Sequence, residues 1–128
     1  MEINISFLSP PRKEFSDLTS VTASSVLDTN TLKASGVNSA YGAVTKIGKL
    51  VIVSLSWQGN ISGTSPIITL PAGYRPAATS YGAHFLYLSA AAVFFAGSCI
   101  VDPDGTLKDG TTSNAKTSGT LNVAFIAA

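Results

Sequence analysis

From Lys49 to Trp57 the chain alternates, with Val51, Val53, Leu55 and Trp57 on one wholly apolar face and Leu50, Ile52, Ser54 and Ser56 on the other. A period of two is the signature of a strand with one buried face. Gly48 separates this strand from another predicted over 41–47, and Gln58-Gly59-Asn60 predicts the following turn. A short strand over 67–70 is stopped by Pro71, which cannot donate to a ladder. Pro71-Ala72-Gly73-Tyr74-Arg75-Pro76 reads as a rigid loop, with two prolines fixing φ and one permissive glycine. Strands follow over 79–88 and 93–101, and Asp102-Pro103-Asp104-Gly105 predicts a hairpin turn of type I geometry. A polar loop over 108–119 leads into a last strand over 120–126.

The first 35 residues read differently. They are rich in Ser and Thr and carry Glu2, Arg12, Lys13, Glu14, Asp17, Asp28 and Lys33. We read residues 1–35 as an N-terminal arm or connector. Ser9-Pro10-Pro11 can open a short helix as far as Leu18, and one strand is expected over 25–33. Residues 36–128 form the main domain, and the 128 residues together are enough for one modest core. Short strands, frequent turn signals and no long amphipathic helix predict an all-β fold. The expected form is a jelly-roll-like antiparallel β-sandwich.

Charge narrows the choice of partners. Only 12% of residues are charged, about half the usual share, and the net charge is +1. Nucleic acid and acidic membrane surfaces call for clustered Lys and Arg, which are missing. Between Leu50 and Val101 the only formal charge is Arg75. Residues 83–101 lack Asp, Glu, Lys and Arg and approach the length of a spanning helix. His84, Ser89, Ser98 and a β-rich content argue against a membrane span, and no basic cluster marks a cytoplasmic end. Glu2 and Asn4 interrupt the N-terminus before an apolar leader region forms, so no signal peptide is expected. Phe85-Leu86-Tyr87-Leu88 and Val93-Phe94-Phe95 are apolar on both strand faces. The second face must meet something other than water, and further copies of the chain are the economical cover.

Catalytic constellations fail on inspection. His84 is the only histidine and no ligand spacing surrounds it, so no metal and no cofactor are expected. Ser98-Cys99 follows Gly97 without a nucleophile elbow, and Cys99, alone and in apolar company, reads as an inert buried thiol. Asp102 and Asp104 lack the further ligands of a calcium loop and suit a hairpin turn better than a paired-carboxylate site. The chain is therefore expected to bind rather than catalyse.

One resemblance is specific. The run from Lys46 through Trp57, the segment Leu70-Pro71-Ala72-Gly73-Tyr74-Arg75-Pro76 and the strand–Asp–Gly–strand unit over 100–105 resemble the C-terminal head domain of phage tail receptor-binding proteins and tail fibres. The resemblance covers residues 39–126 and rests chiefly on the LPxGYRP segment. It implies a homotrimeric head in the virion tail that adheres to a bacterial cell-wall or capsular saccharide, alongside other tail or baseplate proteins. A purely structural trimeric baseplate or fibre component is the alternative, and a polysaccharide depolymerase a third. A sugar site needs an aromatic face and polar groups for ring hydroxyls. The candidates are Trp57 at a strand end, Tyr74 and Arg75 in the rigid loop, His84 and Tyr87 on one strand, and Asp104 at the hairpin tip. Trp57 serves equally well as a core aromatic. Tyr74 and Arg75 fit a scaffold role, and His84 falls on the strand face opposite Tyr87.

Overall fold

A computed structural model describes residues 23–89, 91–111 and 114–128, and the predicted helix within 9–18 lies outside them. The described residues form eight strands: β1 (Ala23–Asp28), β2 (Val37–Ile47), β3 (Leu50–Ile61), β4 (Pro66–Thr69), β5 (Ser80–Leu88), β6 (Val93–Val101), β7 (Thr106–Asp109) and β8 (Lys116–Ile126). All pair antiparallel in one sheet, in the order β1-β2-β3-β8-β5-β6-β7-β4. The fold is all-β, as the turn and strand signals indicate.

The sheet curls because its strands carry one apolar face each. In β3 the odd positions Val51, Val53, Leu55 and Trp57 are buried while the even positions from Leu50 to Gln58 are exposed. Leu121, Val123 and Phe125 of β8 continue the same inner face. Curling brings edge strand β4 round to the segment before β2. There the Ala34 N–H donates to the Ile67 carbonyl at 3.0 Å, and Lys33 bridges Ile68. Ile67, Ile68 and Leu70 thereby enter the same core as Val44 and Val53.

Residues 23–35 are built into this structure. β1 pairs with β2, a 3-10 turn over Thr29–Leu32 follows, and the buried Thr29 hydroxyl donates to the Ala40 carbonyl at 2.8 Å. Leu27 and Leu32 pack on the core. The polar segment 108–119, read as a loop, instead contributes the end of β7 and the first residues of β8. Leu88 ends β5 and Val93 opens β6, with Ala92 before it at φ +54°, although the alanines of this stretch favour helix. Among the described residues no helix is long and apolar enough to cross a membrane.

The Pro71–Pro76 loop and the Asp102–Gly105 turn fasten one end of the sheet. Gly73 at φ +90° reverses the chain, and the Tyr74 N–H donates to the Pro71 carbonyl at 3.1 Å. Arg75 Nε donates to the Leu70 carbonyl at 2.8 Å, and the Arg75 carbonyl accepts the Ala128 N–H at 2.9 Å. Gly105 closes the hairpin at φ +89°, and its N–H donates to the Asp102 carbonyl at 2.9 Å.

The two faces of β3 predict a contrast in stability. Leu55→Ala opens a cavity in the core and is expected to cost about 2–5 kcal/mol. Ser54→Ala, one residue away on the outer face, should change stability by less than about 0.5 kcal/mol. Urea denaturation of the two variants checks the assignment of faces.

Candidate functional site

Inside the curl, polar groups from four strands form one chain of contacts. Trp57 Nε1–H donates to His84 Nε2 at 3.0 Å, and His84 Nδ1 lies 3.0 Å from Asp109 Oδ1. Asp109 Oδ2 meets Lys116 Nζ at 3.2 Å, and Lys116 also donates to the Gly63 carbonyl at 3.3 Å. The side chains of His84, Asp109 and Lys116 are wholly buried, and Trp57 is 1% exposed. Because Nε2 accepts from the indole, the imidazole proton sits on Nδ1 and is donated to Asp109. Both ring nitrogens are thereby engaged. Trp57 and His84 meet across β8 above Gly119, where a Cβ would lie 2.5 Å from His84 Nε2 and 2.7 Å from Trp57 Nε1. Only glycine leaves room for that hydrogen bond.

This cluster has the composition of a catalytic relay and lies beneath the surface. Its histidine has no free nitrogen and no exposed surface. No group of three His, Cys, Asp or Glu among the described residues is placed to hold a metal. Cys99 is buried too, and loss of solvent raises its thiol from 9.0 to about 11, so it is protonated at neutral pH.

The outer face offers a different surface. Strand pairing aligns Tyr41, Ser56, Thr120, Phe85 and Ala96 in one row across five strands. The adjacent row is Ser39, Gln58, Ser118, Tyr87 and Phe94. These two rows shape a groove of about 260 Å³. Ser56, Gln58, Ser118 and Thr120 line its floor between Tyr41 on one side and Phe85, Tyr87 and Phe94 on the other. Phe85 and Phe94 stack with centroids 5.4 Å apart, and Tyr87 tilts against Phe94 at 5.1 Å. Tyr41 is 69% exposed and Phe94 66%. A second cavity of about 350 Å³ lies beside Asp109 and Lys108. There Asp109 holds His84 and Lys116, while Lys108 pairs with Asp102 at 2.7 Å.

The six sequence-derived candidates therefore separate. Tyr87 and Trp57 both line the groove, Tyr87 partly exposed and Trp57 with only 1% of its surface exposed. Trp57 and His84 share the inner network through their hydrogen bond, and His84 does not line the groove. Tyr74 packs on the core, hydrogen-bonds Ser25 Oγ and lies under Lys46 Nζ at 5.3 Å from the ring centroid. Arg75 is spent on the Leu70 carbonyl. Exposed Asp104 accepts the Thr106 N–H at 2.9 Å, a bond that lowers its carboxyl below the ordinary range. Tyr74, Arg75 and Asp104 all belong to the fastened end, about six strand residues or ~20 Å from the groove. Tyr41, Phe85, Phe94 and the hydroxyl floor were not singled out as site residues. The only signal for Phe85 and Phe94 was that their strands are apolar on both faces.

No family model matches the chain, and no curated protein or solved structure does either.

Removing one partner from a buried ion pair strands the other charge. Asp109→Asn is therefore expected to destabilise the fold by about 3–5 kcal/mol, measured by denaturant unfolding. In the wild type, long-range 15N NMR should show a single neutral His84 tautomer protonated at Nδ1. A proton on Nε2 would contradict the network.

The raised Cys99 thiol carries its own pH signature. Its folded value lies above the unfolded one, so the unfolded chain loses this proton first and stability falls as pH rises from about 9 towards 11. Cys99→Ser should flatten that part of the curve.

Proposed function

We propose that the chain is a non-catalytic, homotrimeric adhesion head of a phage or prophage tail, and that its outer groove binds a saccharide of the bacterial surface. The observation that carries the reading is the groove itself. Exposed aromatic rings flank a floor of hydroxyl and amide groups, the combination that packs on a sugar's apolar face and bonds its hydroxyls. The LPxGYRP segment adds the resemblance to tail heads, and its observed role as a clasp suits a scaffold. The jelly-roll comparison belongs to the same proposal, with the curled sheet as its coarser form.

Trimer contacts fit the other end of the outer face. The doubly apolar runs 85–88 and 93–95, for which copies of the chain are the expected cover, are read here as groove wall through Phe85, Tyr87 and Phe94. Leu50 pairs with Ile126 and Ile52 with Ala124, and Leu50, Ile52, Ile126 and nearby Val26 are all exposed. Burying such a patch contributes ~25 cal/mol per Å², and it leaves open the groove, which begins further along β3 at Ser56. Weak single-site affinity is then multiplied by the number of heads on a tail. A purely structural baseplate component shares the apolar patch and has no use for the groove.

Two measurements test the proposal. Light scattering should give three times the chain mass, and Ile52→Lys with Ile126→Lys should yield a folded monomer. Tyr41→Ala and Tyr87→Ala should each reduce binding to host envelopes about tenfold or more, equivalent to ~1.4 kcal/mol, with trimer and melting temperature retained. Retained adhesion in both variants would favour the structural component.

A further inference from the structure

We infer, resting on that reading, that the groove takes an uncharged oligosaccharide lying across the strands and discriminates against anionic glycans. Reach is the first argument. Tyr41 stands on β2 and Phe94 on β6, with β3, β8 and β5 between them. Four inter-strand steps of about 4.8 Å make ~19 Å along the sheet, more than a single sugar ring fills. The aromatic groups at the two ends are therefore platforms for different rings of one chain, with the floor between them.

Charge is the second argument. Among the described residues, the outward positions on β2, β3, β8 and β5 that flank the groove carry no formal charge. The next row along, Ala43, Ser54, Asn122, Ala83 and Ser98, is uncharged as well. Asp28 pairs with Ala43 at the margin, and its carboxylate accepts the Asn30 N–H at 2.9 Å. Asp109 and Lys116 lie inside the curl, held against each other. A carboxylate, sulfate or phosphate on the ligand would lose hydration in the groove and meet no cation there among the described residues. Ser56, Ser118, Thr120 and Gln58 can each donate and accept, which is the demand of a neutral sugar hydroxyl.

The test uses the full chain in its native assembly. Titration calorimetry and a glycan array compare neutral hexose oligomers of increasing length with hyaluronan, polysialic acid and polyglycerol phosphate. Neutral chains should bind, with affinity rising about tenfold or more from one ring to three and unchanged between ~0.05 and ~0.5 M NaCl. Thr120→Lys should weaken the neutral ligand and admit the anionic ones. Salt-sensitive binding of an anionic glycan, lost in Tyr41→Ala, would overturn the charge selectivity while leaving the groove as the site. Equal affinity for one ring and three would overturn the extended pose. Failure of every glycan, neutral or anionic, to bind the folded assembly would remove the proposed function itself.

Discussion

The buried contact chain from Trp57 through His84 and Asp109 to Lys116 is the constraint around which one end of this fold is organised. It joins β3, β8 and β5, which lie side by side in the sheet, to β7, which is set apart from β5 by β6. An Asp and a Lys taken out of water cost several kcal/mol each unless their partners are well placed. Here the partners are supplied by a histidine held in one tautomer and by a backbone carbonyl. Any register slip on β8 would move Gly119 from beneath the Trp57–His84 bond and put a side chain there. The network therefore specifies register as well as tying strands together.

The chain is economical with charge elsewhere, and among the described residues several of its charges are committed. Asp102 pairs with Lys108, Lys46 donates to the Gly73 carbonyl at 2.6 Å, and Arg75 holds Leu70. These contacts lie at the end fastened by the Pro71–Pro76 loop. What remains for the outer face of the central strands is hydroxyl, amide, aromatic and aliphatic surface. Such a face is suited to neutral ligands and to copies of itself, and ill suited to polyanions.

Much of the frame was legible in sequence because its signals are local. The alternation of β3 is a period-two pattern read from eight residues, and it assigns each side chain to the observed face. Asp102-Pro103-Asp104-Gly105 turns where Pro and Gly confine the backbone. The opposition of His84 to Tyr87 follows from strand parity alone. The site was less legible because it depends on strand order. β8 inserts between β3 and β5, and nothing in the residues 116–120 announces this. Ser118 and Thr120, which line the groove floor, come from or adjoin a segment that reads as polar loop. Asp109 and Lys116 both fall in the segment that reads as polar loop, and the six residues between them hide an ion pair made across strands. Trp57 and His84 carried the right chemistry for a sugar site, yet each is the other's partner.

Inner network and outer groove are two faces of the same strand segments. Trp57 is buried between Ser56 and Gln58, which line the groove; Gly119 lies between Ser118 and Thr120; Leu86 lies between Phe85 and Tyr87. Successive side chains on a strand point to opposite faces, so fixing one residue fixes the direction of both neighbours. A groove on a single-layer sheet has no second layer of side chains to hold its shape. Its rigidity must come from the layer beneath, and there the hydrogen-bonded indole, imidazole and ion pair resist sliding better than aliphatic contacts, which have no directionality. A binding surface held in its bound form spends less of the interaction energy on ordering. That is a physical reason for a chain so poor in charge to bury an Asp–Lys pair at this end, beside the strands that carry its exposed rings.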